Sequence, residues 1–519
     1  MIPLYSPEKI KCLDNYAIDN LKMSSIVLME SAANSLKQVF IDIYPVEEFV
    51  NVSVICGKGN NAGDGFALAR LLLEEGYIVS VFLLFESKLL SADAKIQFSI
   101  LENINKTNKS ISLHPYQGEK SLAEIANSDV IVDAILGSGG TGLLSESLNS
   151  LLISLNKIDI EKFSIDIPTG LSAETGYGET VFNADVTVTL GGLKQGLFFS
   201  RGYIYSGDVY LGSIGIPRNE DILGHPNVFL IGPEDVKAAL PNKAKDIHKY
   251  SSGKLFTIAG SKEFPGAASL AASAAFRVGA GASVLAFPAS IAGIIHSLCE
   301  PHIVIRKYED NNSGVFRAEN VMQLEKDIAG TDVISIGSGL GRDEATLTAV
   351  EKLITANASK CFVIDADALF AISQSKAKVY PNDCIVTPHI GEFSVMIDVR
   401  IDELRKDMLL YGRKFSSQTK SIMVLKDFRT LIFTPRGEVY ISPYGNSGLA
   451  KFGSGDVLTG IIGGIYAQTK DALSSAICGV ALHGIAADIL KDKLTIYGFT
   501  ATDLLNAIPD AIKLIKREK

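Results

Sequence analysis

The 519-residue chain is predicted to be an α/β protein of two large domains. Short β-branched runs alternate with helical patterns, the order that builds a parallel sheet covered by helices on both faces. Glycine clusters follow the ends of those runs, where open α/β sheets bind their ligands. Around residues 215–250 the rhythm breaks, with Pro217, Pro226, Pro233 and Pro241 set among polar residues. Length alone suggests about three domains; the single break reduces this to two.

In the first half the strand runs are residues 50–56, 78–85, 129–136, 163–167 and 184–190, with a helical pattern at 65–76. In the second half they are 254–259, 282–287, 332–336, 361–365, 384–387 and 422–425, and the last 65 residues read mostly as helix. Hydrophobic residues make up 47% and charged residues 21%, which excludes disorder, collagen and coiled coil as the main architecture. The net charge of −9 provides no basic excess for nucleic acid. Small anions remain possible ligands, through glycine loops and helix N-termini. Six cysteines without a CxxC pair argue against a disulfide framework or zinc site and suit a reducing, cytoplasmic setting. No signal peptide and no uninterrupted 18-residue apolar run is seen, so no membrane span is expected.

The first glycine cluster, Gly57-Lys-Gly-Asn-Asn-Ala-Gly-Asp-Gly65, lies between a strand and a helix. It is neither a Walker A loop nor GxGxxG. Read structurally, it is a tight turn with Asp64 as a helix cap. Read functionally, Asn60, Asn61 and Asp64 bring three polar side chains to one turn. The second cluster, Asp133-Ala-Ile-Leu-Gly-Ser-Gly-Gly-Thr-Gly142, starts with a carboxylate ending an apolar strand, a costly position unless paired or bound to a cation. Asp166-Ile-Pro-Thr-Gly170 repeats that arrangement. The oxygen-rich set Asn61, Asp133 and Thr169 suits a hard cation, and its lack of a second acid points to a monovalent one.

These segments, GNNAGDG, VDAILGSGGTG and SIDIPTGLSAETG, resemble three signatures of the NAD(P)H-hydrate epimerase family over residues 1–220. The resemblance implies a Rossmann-like three-layer domain that interconverts the R and S hydrates of NADH and NADPH. It implies that Asn60, Asn61, Ala62, Gly63 and Asp64, with Gly137, Ser138, Gly139, Gly140, Thr141, Gly142 and Leu143, contact the hydrated dinucleotide. Asp166 would contact the reacting ring as the base, and Asn61, Asp133 and Thr169 would hold potassium. Ala62 stands where glycine is commoner.

In the second half, Gly453-Ser-Gly-Asp-Val-Leu-Thr-Gly460 follows Gly445-Asn-Ser-Gly-Leu-Ala450. A GxGD at a helix N-terminus turns backbone N–H groups toward a phosphoryl group and places Asp456 within reach of an attacking hydroxyl. The structural alternative is a capped helix start. Ala259-Gly-Ser261, Gly337-Ser-Gly-Leu-Gly-Arg342, Asp365 and Asp367, Thr387-Pro-His-Ile-Gly-Glu392 and Lys426-Asp-Phe-Arg-Thr430 also sit at strand ends. His389 has no partner at metal spacing, and a structural role and a substrate contact are both open for it.

In this order the pieces resemble the ADP- or ATP-dependent NAD(P)H-hydrate dehydratase family over residues 230–519, a ribokinase-like α/β domain. The fusion of the two resembles the bifunctional NAD(P)H-hydrate repair family, whose fused forms usually use ADP. The resemblance implies that Lys426, Asp427, Phe428, Arg429 and Thr430, with Asn446, Ser447, Gly448, Leu449, Ala450, Lys451, Phe452, Gly453, Ser454 and Gly455, bind ADP (or ATP) with magnesium. Gly339, His389, Ile390, Gly391, Glu392, Phe393, Ser394, Val395 and Asp456 would contact the hydrate, with Asp456 as the base. A homo-oligomer is implied, with no nucleic-acid or membrane partner. The sequence departs from the pattern at Ser338 and Ser447 (usually proline), Asp427 and Tyr250 (usually glycine), and Lys451-Phe452 (usually a small pair). Lys451 is free on this reading to contact phosphate, and Phe452 to stack on or crowd the adenine. A ribokinase-type kinase for another small alcohol and a non-enzymatic binding scaffold are the competing readings.

Overall fold

The computed structural model describes residues 1–139, 144–217, 220–249 and 251–517. By contacts these fall into two compact units, Pro3–Asn227 and Val228–Lys519, the latter joined by Met1–Ile2. Strand β1 (Ile2–Leu4) is an edge strand of the sheet of the C-terminal unit.

The N-terminal unit is built on β2 (Asn51–Cys56), β3 (Ile78–Leu83), β4 (Ile111–Pro115), β5 (Val130–Ala134), β6 (Glu161–Ile165), β7 (Val186–Leu190) and β8 (Asp208–Gly212). All pair in parallel, in the order β4-β3-β2-β5-β6-β7-β8. Strand order reverses between β2 and β5, so a crevice opens at their carboxyl ends. One core packs Phe40, Phe66, Leu72 and Phe163 against one another, and a second packs Ile131, Leu151, Leu152 and Leu155. Burying both faces explains the continuous apolar runs of the central strands.

In the C-terminal unit the strands are β9 (Val228–Leu230), β10 (Lys254–Ile258), β11 (Ala282–Pro288), β12 (Val304–Tyr308), β13 (Val333–Ile336), β14 (Cys361–Ile364), β15 (Ile385–Val386), β16 (Ile422–Leu425), β17 (Leu431–Phe433) and β18 (Val439–Ile441). The sheet order is β1-β9-β18-β17-β16-β15-β14-β13-β10-β11-β12. Strands β10 to β16 are parallel, and β17 makes antiparallel pairs with β16 and β18. Here the reversal falls between β10 and β13, and Gly260 N–H bonds the Ser338 carbonyl across it. Helix Ser454–Thr469 crosses helix Pro265–Arg277 so closely that a Cβ on Gly460 would stand 2.1 Å from the Ala271 carbonyl oxygen.

Helix Ala472–Gly498 is long and apolar enough to cross a membrane by length and composition. However, 78% of its apolar window is buried within the fold, as expected of a core helix. The reading for spans required an uninterrupted apolar run and so did not register it. Strands β1, β4, β8 and β12 also gave no apolar run, because each is an edge strand with exposed positions.

Candidate active sites

The first site lies at the carboxyl ends of β2, β5 and β6. Helix Asn60–Glu74 begins five residues before the periodic pattern, with Gly59 as its N-cap. Asn60, Asn61 and Asp64 therefore ride on the first turns of a helix instead of a loop, and Asp64 is not the cap. Asn61 and Asp64, three residues apart, share one face. Asn60 Oδ1 accepts from the Ser91 hydroxyl. Ala62 is packed in the core and Gly63 lies against Met29, with both N–H groups already bonded to the Gly59 carbonyl. Gly137 allows a close approach: a Cβ there would stand 3.1 Å from Asn61 Oδ1 and 3.2 Å from Asp166 Oδ2. Ser138 spends its N–H on Asp166 Oδ2 at 3.0 Å, and Gly139 is exposed. Gly140, Thr141, Gly142 and Leu143 lie outside the described residues.

Asp166 is buried and adopts φ +70°, a left-handed conformation costly for a residue with a side chain. Its Oδ1 lies 2.5 Å from the ammonium of Lys194, which is 1% exposed and also donates to the Leu190 carbonyl and the Thr189 hydroxyl. Burial alone would raise the proton affinity of Asp166. The Lys194 charge and hydrogen bond, with the Ser138 and Leu190 amides, outweigh it and hold the carboxyl below its ordinary value. Asp64 goes the other way: burial first, then Asp166 and Asp14, push it well above the carboxylate range. Asp14 is raised by burial against the pull of Lys194. An ionised carboxylate beside a neutral one is the division of labour of a base and an acid.

Lys194 and Asp14 escaped the sequence reading. The available signal for Lys194 was a lone cation in the glycine-rich segment Gly191-Gly-Leu-Lys-Gln-Gly196 just after β7. Backbone bonds from Tyr5 to Leu193 and Gln195 hold that segment in place. Asp14 arrives on helix Pro7–Asp19, outside every motif.

Asp133 is fully buried, and among the described residues no ion pair reaches it. Thr169 donates its N–H and its hydroxyl, each at 2.7 Å, and the Ile135 amide and Ser164 hydroxyl complete the set. Burial still pushes the carboxyl up to about 6. Asn61 Nδ2, whose side chain lies near Gly137, is buried without a hydrogen-bond partner among the described residues. A buried carboxylate lacking a cationic partner, with the Thr169 and Ser164 hydroxyl oxygens against it, fits a monovalent cation.

The second site forms at the N-terminus of helix Ser454–Thr469. Its N-cap, Gly453, has φ +91°, a conformation that favours glycine. Asp456 lies in the first turn. Burial and the negative charge of Asp365 raise its carboxyl to about 6, against the pull of the Ser338 hydroxyl and Lys426 and with a further push from Asp367. Lys426 Nζ pairs with Asp365 at 3.0 Å and lies 3.6 Å from where a Cβ on Gly455 would stand. The ammonium thus sits beside the backbone of the helix start.

The preceding loop is strapped to helix Ala472–Gly498. Asp488 accepts from the Gly445 amide and Asn446 Nδ2, and His483 Nε2 bonds the Ser454 carbonyl at 2.9 Å. Burial lowers His483 to about 4, so it is neutral and donates through Nε2. Asn446 Oδ1 caps Gly448 N, and Gly448 packs on Phe499. The suggestion that Lys451 contacts phosphate is corrected. Its ammonium donates to the carbonyls of Ile496, Tyr497 and Phe499, just beyond the break in that helix at Thr495. Ser447, Ala450 and Phe452 are exposed and Leu449 is half-buried. Asp427 turns from the site to pair with Arg405 at 3.0 Å, and Arg405 lies over the Phe428 ring. Arg429 donates to the Pro443 and Gly445 carbonyls, bracing the loop beside half-buried Thr430.

His389 is the N-cap of helix Ile390–Ile397. Its Nδ1 accepts from the Gly391 and Glu392 amides, and Glu392 returns a bond to the His389 N–H. Its Nε2 lies 3.5 Å from Glu392 Oε1. His389, Gly391, Glu392 and Val395 line a pocket of about 150 Å³ with Arg342 and Phe370. Phe393 is buried in the core, and the Ser394 hydroxyl bonds the Val399 carbonyl. Ile390 N–H bonds the Lys426 carbonyl. Gly339, at φ +62°, packs against Phe264. Tyr250 lies outside the described residues. Thermal or urea unfolding of His389→Ala is expected to show a loss of about 1 kcal/mol; unchanged stability would contradict the capping role.

The family model for NAD(P)H-hydrate dehydratase matches residues 255–510, and that for the YjeF-related protein N-terminus matches residues 25–196. The chain is 33% identical over 515 residues to the bifunctional NAD(P)H-hydrate repair enzyme Nnr of Moorella thermoacetica, covering 98% of this chain and 96% of that protein. It is 32% identical to Nnr of Dictyoglomus turgidum, covering 99% of each. Among solved structures, it resembles an ADP/ATP-dependent NAD(P)H-hydrate dehydratase of Bacillus subtilis, co-crystallised with ATP and magnesium. That match has 31% identity and a TM-score of 0.49, over 56% of this chain and 99% of the other.

Proposed function

The chain belongs to the bifunctional NAD(P)H-hydrate repair enzyme family, and on that premise we propose that the Asp166 pocket epimerises the hydrates and the Asp456 helix start dehydrates them. Residues 1–220 are assigned to the first reaction and 230–519 to the second. The observation that carries the second assignment is Asp456 in the first turn of a glycine-started helix, with the Lys426 ammonium alongside.

In dehydration, Asp456 takes the proton of the C6 hydroxyl of S-NAD(P)HX as that oxygen attacks the terminal phosphate of ADP. The new O–P bond forms while the bridging P–O bond breaks and AMP leaves. Lys426 and the N–H groups of the helix start stabilise the phosphoryl oxygens. The ring nitrogen lone pair then expels phosphate, and proton loss from C5 restores NADH or NADPH. ATP serves by the same steps, releasing ADP. Magnesium, bound with the nucleotide, would neutralise phosphate charge. The nucleotide loop keeps the reading of Asn446, Gly448, Gly453, Ser454 and Gly455 as its contacts, with exposed Phe452 beside the base.

In epimerisation, Asp166 serves as the base at the ring, kept ionised by Lys194, and Asp64 supplies the neutral carboxyl. Potassium, held by Asn61, Asp133 and Thr169, would supply positive charge beside the substrate. The enzyme acts in the cytoplasm on small molecules and assembles as a homo-oligomer.

The test of the dehydratase assignment is its pH profile. A base must be ionised to work, so activity is lost as pH falls through the value of Asp456 in the folded chain, about 6. Stopped-flow recovery of NADPH from S-NADPHX should show an acid limb there. A limb at the ordinary carboxylate value would count against Asp456 as the base.

A further inference from the structure

Asp365 directly follows β14, is 2% exposed and has each carboxylate oxygen engaged. Oδ1 accepts from the Thr387 hydroxyl at 2.7 Å and the Lys426 ammonium at 3.0 Å. Oδ2 accepts from the Thr459 hydroxyl at 2.8 Å. The three donors come from three different elements: the loop after β15, the end of β16, and helix Ser454–Thr469. Thr459 is three residues beyond Asp456 on that helix, on the same face. The backbone holds Asp365 at a cost, since the next residue, Ala366, has φ +44° without being glycine. Gly337 lies against the Asp365 carbonyl, where a Cβ would stand 1.8 Å from its oxygen.

A buried ion pair adds little stability over apolar packing of the same volume. This one nevertheless sits where it sets the place of two functional groups. We propose that Asp365 is a positioning residue of the dehydratase: it fixes the Lys426 ammonium beside the phosphate-facing helix start and, through Thr459, fixes the helix that carries Asp456. This rests on the assignment of Asp456 and Lys426 above. Asp365 touches neither nucleotide nor hydrate; it acts through the groups it holds.

Its charge gives it a signature that a structural role lacks. The groups that face Asp456 are Asp365, Asp367, Lys426 and the Ser338 hydroxyl, and those that face Lys426 are Asp365, Glu392 and Asp456. Lys426 in turn acts on neutral His483. Removing the negative charge of Asp365 takes away the strongest electrostatic push on Asp456, so the acid limb of dehydration moves to lower pH.

The experiment uses the full chain, with R-to-S exchange measured alongside to verify that the first site is intact. In Asp365→Asn, kcat falls by about 10- to 100-fold, KM for ADP rises because Lys426 is no longer held, and the acid limb shifts below 6. A folded Asp365→Asn variant with the wild-type limb and KM overturns the proposal. Thr459→Val keeps the charge and cuts one tether; it lowers kcat several-fold while the limb stays in place. Should Asp365→Asn fail to fold, wild-type kcat in Thr459→Val overturns the proposal. Failure of the underlying assignment looks different: wild-type chain with no ADP- or ATP-dependent recovery, or Asp456→Asn with full activity.

Discussion

Asp456→Asn abolishes measurable dehydration of hydrated NADPH, with kcat lower by about 10³-fold, and leaves epimer exchange at the wild-type rate. Asparagine keeps the shape of the side chain, so the helix start, Gly453 and the strapped loop stay in place. Only the capacity to accept the hydroxyl proton is lost. The variant removes a carboxyl that burial had raised to about 6, so it is not expected to fold less stably than wild type. Dehydration is read as the return of dihydronicotinamide absorbance with ADP and magnesium, and exchange by chromatographic separation of the epimers. Loss of both activities would contradict two separable sites.

The second large effect belongs to the other pocket. Asp166→Asn slows epimer exchange by about 10²- to 10⁴-fold above the spontaneous rate, with dehydration of pure S epimer unchanged. Lys194→Met reaches a similar loss by another route. Without the ammonium at 2.5 Å, burial is left to govern Asp166. Its carboxyl rises instead of falling below its ordinary value, and the remaining activity shifts to higher pH. Breaking a buried pair costs about 3–5 kcal/mol, so thermal unfolding accompanies the rate measurements. Asp166→Asn combined with Lys194→Met leaves no unpaired charge and separates instability from lost chemistry. Wild-type exchange in a folded Asp166→Asn chain would remove Asp166 from the reaction.

The central parallel strands could be read because burial on both faces makes them plain apolar runs, and their ends carried the glycine and acidic residues that mark both pockets; the buried three-residue strands β17 and β18 were too short to stand out. Edge strands such as β4 and β12 were invisible for the converse reason: each has only one fully buried position. The side chains that define chemistry locally, Asp133, Asp166 and Asp456, stood out as carboxylates in apolar or glycine-rich surroundings. Lys194, Asp14, Asp488 and His483 did not. Each acts across a long sequence separation on a motif residue, and a single sequence holds no distance information for such pairs. Lys451 shows the opposite error. A lysine in a phosphate loop suggested a phosphate contact, but the Tyr497 and Phe499 carbonyls hold it.

The most direct test of the account mixes wild-type chain with equal amounts of R- and S-NADPHX, ADP, magnesium and potassium. The account predicts recovery of the full NADPH absorbance, with the Asp166→Asn chain recovering the S half quickly and the remainder only at the spontaneous exchange rate. Wild-type recovery that stops at half, or full and fast recovery by Asp166→Asn, would contradict it.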